Sequence, residues 1–128
     1  MNNEEMRDML IDYMGKGFLD NIIALCKQDP AVLRFIPDMV GSENIRVRLG
    51  VTALVEELAP RQRNELRRAV PGLLALLKHK NPTIRGDAVA VLGMIKDQAS
   101  RDALQICLQD DHPDVRDAAR EALAEMGR

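Results

Sequence analysis

The chain has 128 residues, of which 46% are hydrophobic and 30% are charged, and its formal net charge is -2. This composition is typical of one folded domain and excludes a disordered chain. The N-terminus lacks a basic segment followed by an apolar run, and no stretch approaches the roughly 20 apolar residues of a membrane helix. The sequence therefore predicts a cytoplasmic protein without a signal peptide or a membrane span. Aromatic residues make up only 2% of the chain, so the core must be aliphatic.

Two helices are predicted at the start of the chain. Apolar residues at three- and four-residue steps within residues 4–14 form one stripe on a helix, and Gly15-Lys16-Gly17 ends it. A second helix is predicted over residues 18–27, and Asp29-Pro30 after it breaks the helical pattern. We expect these helices, within residues 1–29, to cap the rest of the chain. The first is rich in methionine and is also a candidate for self-association into a homo-oligomer.

The remaining pattern predicts three pairs of helices joined by short turns. Gly41 and Ser42 are candidate caps in the first turn. In the second turn Asn81 is the candidate cap, and Pro82 can occupy the first turn of the helix that follows. The predicted pairs are residues 31–40 with 43–58, residues 71–78 with 83–96, and residues 101–109 with 114–126.

The last two pairs repeat each other at an interval of 31 residues. The apolar and arginine positions between Leu73 and Ile95 recur between Leu104 and Met126, and a looser copy precedes them at an offset of 37 residues because residues 59–69 add length. Such self-similarity predicts a stack of two-helix units, each of which needs a neighbour to bury its apolar face. We predict a single domain over residues 1–128, with the N-terminal cap followed by repeats at 30–59, 60–97 and 98–128.

The turn sequences Asn81-Pro82-Thr83-Ile84-Arg85 and Asp111-His112-Pro113-Asp114-Val115-Arg116 resemble the short HEAT-like repeats first named for phycobilisome lyases. The resemblance covers residues 73–127 well and residues 36–58 less well, because Ile45 replaces the proline there. It implies an all-α fold, a right-handed α-α superhelix of about three helix pairs whose second helices line the concave side. It also implies an interaction scaffold, since few members of that family are enzymes.

Arg48, Arg85 and Arg116 occupy equivalent positions near the start of each second helix. The resemblance implies that such arginines are structural and pair with acids or carbonyl groups of the adjacent repeat, a role that suits a planar guanidinium with five donors. The alternative is that the three arginines form a row that binds a ligand. The repetition itself favours the packing role.

A partner protein is predicted to bind on the concave side of the stack. If the apolar stripe of each second helix faces the core, other residues of these helices remain free for a partner, and the small ones let a guest helix or strand approach the backbone. The alternative is that the small residues let neighbouring repeats pack tightly. The predicted contact residues are Leu49, Val89, Ala90, Gly93 and Met94.

Positive charge is concentrated in one segment. Residues 61–85 contain seven basic residues and one acidic residue, so this segment carries a net charge of +6 and the remainder carries -8. Arg63, Arg67 and Arg68 are predicted to form an electrostatic rim beside the docking surface. Together with Arg61 they also give the alternative function, binding of nucleic acid or another acidic surface, although a solvated loop or pairing with nearby acids explains the same pattern. The lack of Trp, and the apolar setting of the only Tyr and both Phe residues, count against nucleic acid.

No catalytic, cofactor-binding or metal-binding site is predicted. His79 and His112 fall in turns and have no carboxylates at the helical spacing that would complete a metal site. Cys26 and Cys107 lie on apolar stripes far apart in the chain and are predicted to be buried thiols. A protein-binding scaffold without catalysis is therefore the predicted function.

Overall fold

The computed structural model describes residues 1–127, so position 128, the end of the predicted third repeat, lies outside the described residues. Within residues 1–127 the chain forms helices and no strand, which confirms the all-α prediction. The α-helices are α1 Asn3–Gly15, α2 Leu19–Gln28, α3 Ile36–Val40, α4 Ile45–Leu66, α5 Val70–Leu76, α6 Pro82–Ile95, α7 Arg101–Cys107 and α8 Pro113–Met126. Short 3-10 helices precede α3, α5 and α7 at Pro30–Phe35, Arg67–Ala69 and Gln98–Ser100.

The helices form an α-α repeat stack. The pairs α3/α4, α5/α6 and α7/α8 follow one another, and each pair packs against the next, as the periodicity predicts. At the N-terminal end, α1 and α2 both pack against α4. Because Leu10 and Met14 of α1 are buried there, the Met-rich stripe of this helix is used for packing within the chain.

One continuous aliphatic core runs through the stack. It contains the inward positions of each second helix and the two cysteine side chains, so every repeat shares apolar contacts with its neighbour. Full burial of each Leu, Ile or Val stabilises the fold by roughly 1.5–3 kcal/mol. The inward positions of the second helices are Val47, Val51, Leu54, Val55, Leu58, Ile84, Ala88, Val91, Leu92, Ile95, Val115, Ala119, Ala122 and Met126.

Side-chain caps fix the turns between the helices of each pair. Asn81 caps α6, where its side-chain oxygen accepts the Thr83 N–H at 2.9 Å, as predicted. Asn44 caps α4 in the same way, so the expectation that Ser42 is the N-cap is wrong. The hydroxyl of Ser42 instead accepts the backbone N–H of Asn44. Each second helix therefore begins at a defined residue, which sets the register of the arginine that follows.

Residues 59–69 form helical structure, so the solvated loop, one of the two alternative explanations for the arginines within residues 61–68, is wrong. α4 continues to Leu66, with Pro60 inside it and a non-helical backbone at Gln62, and the 3-10 helix Arg67–Ala69 follows directly. Pro60 cannot donate the helical hydrogen bond to the carbonyl of Glu56, and the helix is interrupted two residues later, at Gln62. Leu66 and Ala69 are fully buried, so apolar packing holds the extra turns against the core.

The segment before α4 also differs from the predicted helix over residues 31–40. It begins as the 3-10 helix Pro30–Phe35, and only Ile36–Val40 is α-helical. Pro37 lies in the first turn of α3, where its missing N–H costs least, so the α-helix begins there.

None of the helices within residues 1–127 has both the length and the apolar character needed to cross a bilayer.

Candidate functional site

The second helices α4, α6 and α8 form one side of the stack and pack closely against one another. α6 and α8 share the most extensive helix contact among the described residues, whereas the first helices α5 and α7 hardly touch. In the last two repeats the second helices therefore pack more closely than the first helices do. We call the exposed side of α4, α6 and α8 the second-helix surface.

Three arginines each bind the turn of their own repeat, and the first two also bind the next repeat; we call the three the arginine ladder. Each guanidinium donates to a backbone carbonyl six residues earlier: Arg48 to Ser42, Arg85 to His79 and Arg116 to Asp110, at 2.7, 2.8 and 2.8 Å. Arg48 also donates to Asp87 of α6 at 3.1 Å, which joins the first repeat to the second.

Arg85 makes the strongest set of contacts in the ladder. Its Nε and Nη2 donate to the two carboxylate oxygens of Asp110, each at 3.0 Å, and Nη2 also donates to Asp111. A bidentate pair of this kind is stronger than a single contact between ions. The arginine ladder therefore has a packing role, as the repetition predicts, and the donors of Arg85 are occupied within the protein.

The two aspartates of the ladder have pKa values shifted in opposite directions. Hydrogen bonds from Arg85 lower the pKa of Asp110, and the backbone N–H of His112 adds to this effect. Burial raises the pKa of Asp87, because its single contact with Arg48 does not offset the loss of water around the carboxylate. Ionised Asp110 consequently stabilises the fold, whereas ionisation of Asp87 opposes it.

These opposite shifts predict opposite pH effects for two matched substitutions. Asp110 binds protons more weakly in the folded state. Its contribution to the free energy of unfolding is therefore present above its unfolded pKa of about 3.9 and is lost as the pH falls through the folded pKa. For Asp87 the unfavourable free energy of burying the ionised carboxylate is removed as the pH falls through its raised folded pKa. We therefore expect the loss of unfolding free energy between about pH 7 and about pH 3 to be smaller in Asp110→Asn and larger in Asp87→Asn than in the unsubstituted chain.

Urea unfolding followed by circular dichroism at the two pH values measures both variants. Asp110→Asn keeps the side-chain oxygen that accepts the His112 N–H, so the turn itself is preserved. The same pH dependence in both variants would contradict the assignment of the two shifts.

Three of the residues predicted to contact a partner are accessible on the second-helix surface. Leu49 of α4 is 64% exposed, Ala90 of α6 is exposed and Met94 is half-buried. Leu49 borders a cleft of about 410 Å³ between α4 and the N-terminal helices, which Met14 and Leu19 also line. Ala90 and Met94 border a smaller cleft of about 210 Å³ between α6 and α8.

The other two residues of that set are buried. Burial shows that the prediction of Val89 as a partner contact is wrong, whereas Gly93 also lines the cleft between α6 and α8 and stays a prediction. Val89 has no exposed surface, because α6 is the middle second helix and is packed against α3, α4, α5 and α8. Gly93 is buried at the α6–α8 contact, where an added Cβ would lie 2.7 Å from the Cβ of Ala122. The alternative role, tight packing between neighbouring repeats, applies to Gly93.

The basic segment is not adjacent to Leu49. Arg61 and Arg63 lie beyond Pro60 on the last turns of α4, and Arg67 and Arg68 lie in the 3-10 helix that follows, so all four are at the opposite end of α4. Arg63 is half-buried, and its Nε has no hydrogen-bond partner among residues 1–127. Arg68 pairs with Glu65 at 3.3 Å.

A comparison with family models decides the class of repeat. The model described as HEAT repeats matches residues 39–124, from the end of α3 to the last turn of α8, which is about two thirds of the chain. The chain belongs to the HEAT-repeat family. No curated protein and no solved structure matches it.

The histidines of the HEAT repeats are turn residues. His112 caps α8, where its Nδ1 accepts the Asp114 N–H at 3.1 Å, and Nδ1 of His79 accepts the Asn81 N–H at 3.0 Å. These bonds occupy Nδ1 of both imidazoles. No group of three or more His, Cys, Asp or Glu side chains within residues 1–127 is arranged to hold a metal ion.

The cysteines of the HEAT stack are buried free thiols, as predicted. Burial raises the pKa of Cys26 to about 11 and also raises the pKa of Cys107. Since the thiolate is the reactive form of cysteine, neither side chain is prepared for nucleophilic chemistry.

Two exposed isoleucines were not among the predicted contacts. Ile45 is 60% exposed at the start of α4, and Ile106 is 74% exposed on α7. Both lie off the apolar stripe of their helix, and a large aliphatic residue outside the stripe is the sequence signal that identifies them. Ile106 lies on the outer side of the HEAT stack, away from the second-helix surface.

Proposed function

We propose that this HEAT-repeat chain is a scaffold without catalytic activity that binds another protein on its second-helix surface. The observation that carries the proposal is the pair Ile45 and Leu49, two large aliphatic side chains one helical turn apart on α4 and largely exposed. Neither side chain belongs to the core, and Leu49 borders the cleft between α4 and the N-terminal helices. Apolar side chains clustered beside a cleft are typical of protein-binding sites.

Binding at this surface needs little rearrangement of the scaffold. The arginine ladder and the shared aliphatic core hold the second helices in place before a partner arrives, so less conformational entropy is lost on association. An apolar side chain of the partner would enter the cleft beside Leu49, and the contact would continue across Ala90 and Met94. Arg63, Arg67 and Arg68 are outside the proposed surface because they lie at the far end of α4.

The finer classification of the chain is part of the same proposal. The 31-residue interval, with proline opening both α6 and α8, supports repeats of the short phycobilisome-lyase type. The packing of α1 and α2 on α4 supports residues 1–29 as a cap, with repeats at 30–59, 60–97 and 98–128. The two free thiols support a cytoplasmic location, where cysteines stay reduced.

Leu49→Glu is expected to abolish partner capture while the chain stays folded. A carboxylate at the centre of an apolar contact must be desolvated, which costs at least about 2 kcal/mol and weakens binding about thirtyfold or more. Leu49 supports no core packing, so helical content and urea unfolding should be unchanged. The measurement is capture from extract of the native cell by the immobilised chain, with cross-linking to identify the contacted residues.

Ile106→Glu is the matched control, since it places the same charge at an equally exposed aliphatic position on the other side of the stack. The proposal requires a captured protein that cross-links to α4 or α6, is lost with Leu49→Glu and is retained with Ile106→Glu. A partner retained by Leu49→Glu would exclude the second-helix surface as its docking site.

A further inference from the structure

The outer side of the stack contains an apolar groove between α5 and α7. Its volume is about 710 Å³, and it exists because these first helices hardly touch whereas the second helices beneath them pack closely. Leu74 and Leu77 line the α5 side, Ile106 lines the α7 side, and Cys107, which is 6% exposed, lies at its base. Ile106 has little contact with the rest of the chain, so the groove offers apolar surface that the fold does not use.

The charges at the groove are uneven. Lys78 and Asp110 are the charged residues that line it, and Arg85 occupies both carboxylate oxygens of Asp110. Lys78 is exposed and has no ion pair within residues 1–127. Lys80, two residues later, is also exposed and forms no ion pair with the part of the chain that the structure describes. Arg85 also pairs with the exposed Asp111, so Lys78, Lys80 and Arg85 outweigh Asp110 and Asp111 by one charge. This positive excess favours an acidic occupant.

The shape of the groove suits a short stretch of helix. α5 and α7 contain seven residues each, so each is about 10 Å long, which matches about two turns of a guest helix. A helix that docks in a groove presents apolar side chains at i, i+3 or i+4 and keeps its charged residues at the rim.

We propose that the groove between α5 and α7 binds an acidic amphipathic α-helix of another protein. The apolar face of that helix packs against Leu74, Leu77 and Ile106, and a Glu or Asp beside this face pairs with Lys78. Lys80 adds to the attraction without a fixed contact. This site is separate from the second-helix surface, so either can exist without the other.

The test is a selection from displayed helical peptides. Every peptide carries apolar residues at i, i+3, i+4 and i+7 and a random choice of Glu, Lys or Gln at the other positions, and the full chain is the target. We expect the selected peptides to be enriched in Glu. Their affinity, measured by titration calorimetry, should fall about tenfold or more with Ile106→Glu and about threefold with Lys78→Gln, and the second loss should shrink at high salt.

Leu49→Glu serves as the control, because it alters the second-helix surface and leaves the groove intact; it should bind the selected peptides as the unsubstituted chain does. Both Lys78 and Ile106 are exposed, so circular dichroism should show unchanged helical content in their variants. The proposal is overturned by selected peptides without an excess of Glu, by binding that survives Ile106→Glu, or by a selection that yields no binder. Light scattering that shows dimers abolished by Ile106→Glu would mean that a second copy covers the groove, which also overturns it.

Discussion

Replacing Arg85 with methionine is expected to lower the free energy of unfolding by about 3 kcal/mol. Methionine retains an apolar stem but removes every donor of the guanidinium. Asp110, whose side chain is only 12% exposed, would then keep its charge without the two hydrogen bonds that compensate for burial. The carbonyl of His79 would lose its partner as well, so the turn before α6 and the turn before α8 are both weakened.

Arg48→Met is the matched comparison, at the equivalent position of the preceding repeat. Arg48 makes one contact with Asp87, which is more exposed than Asp110. Arg48→Met should therefore lower the free energy of unfolding by about 1 kcal/mol. Urea unfolding at neutral pH, followed by circular dichroism, measures both variants. Adding Asp110→Asn to Arg85→Met should recover part of the stability, because the uncompensated charge is then gone. Equal decreases in the free energy of unfolding for Arg85→Met and Arg48→Met would mean that the bidentate pair stabilises the fold no more than a single contact does.

Gly93→Ala is expected to destabilise the chain by about 2 kcal/mol, although alanine is the better helix former. The added Cβ would lie 2.7 Å from the Cβ of Ala122 and 2.8 Å from its Cα, and the Cα cannot rotate away. α6 and α8 would have to separate along the closest contact of the stack.

The same substitution at Gly86, two turns earlier on α6, should have the opposite sign. An added Cβ there meets nothing within 4 Å, so Gly86→Ala should stabilise the chain by about 0.5–1 kcal/mol through helix propensity and reduced freedom of the unfolded chain. Thermal unfolding of the two variants side by side measures the difference. A gain in stability at both positions would show that α6 and α8 can separate at little cost.

The repeat pattern was sufficient to predict the helix pairs, because a stripe of buried residues leaves a periodic trace in the sequence. Asn81 as a cap and the ladder position of Arg85 followed from the same alignment, since local turn chemistry is repeated with the helices. Residues 59–69 have no counterpart in the other repeats, so nothing in the alignment predicts their structure. There the burial of Leu66 and Ala69 decides that the chain stays helical past Pro60.

The partner surface was harder to predict because it depends on how many neighbours each helix has. Val89 is equivalent to Thr52 of α4 and Arg120 of α8, and both of those are more exposed. α6 has neighbours on more sides, so the same helical position is buried only in the middle repeat; the change to an apolar residue at Val89 was the available signal. The groove beside Ile106 depends on the spacing between α5 and α7, which no local pattern encodes.

The tight α6–α8 contact and the open α5–α7 edge make the stack mechanically uneven. A body that is stiff along its inside and loose along its outside flexes chiefly by widening or narrowing the outer edge. A molecule bound between α5 and α7 would fill the space between these helices. It would thereby oppose straightening or further bending of the last two repeats. The curvature presented by α4, α6 and α8 would thereby be adjusted from the opposite side of the molecule, without a contact between the two occupants.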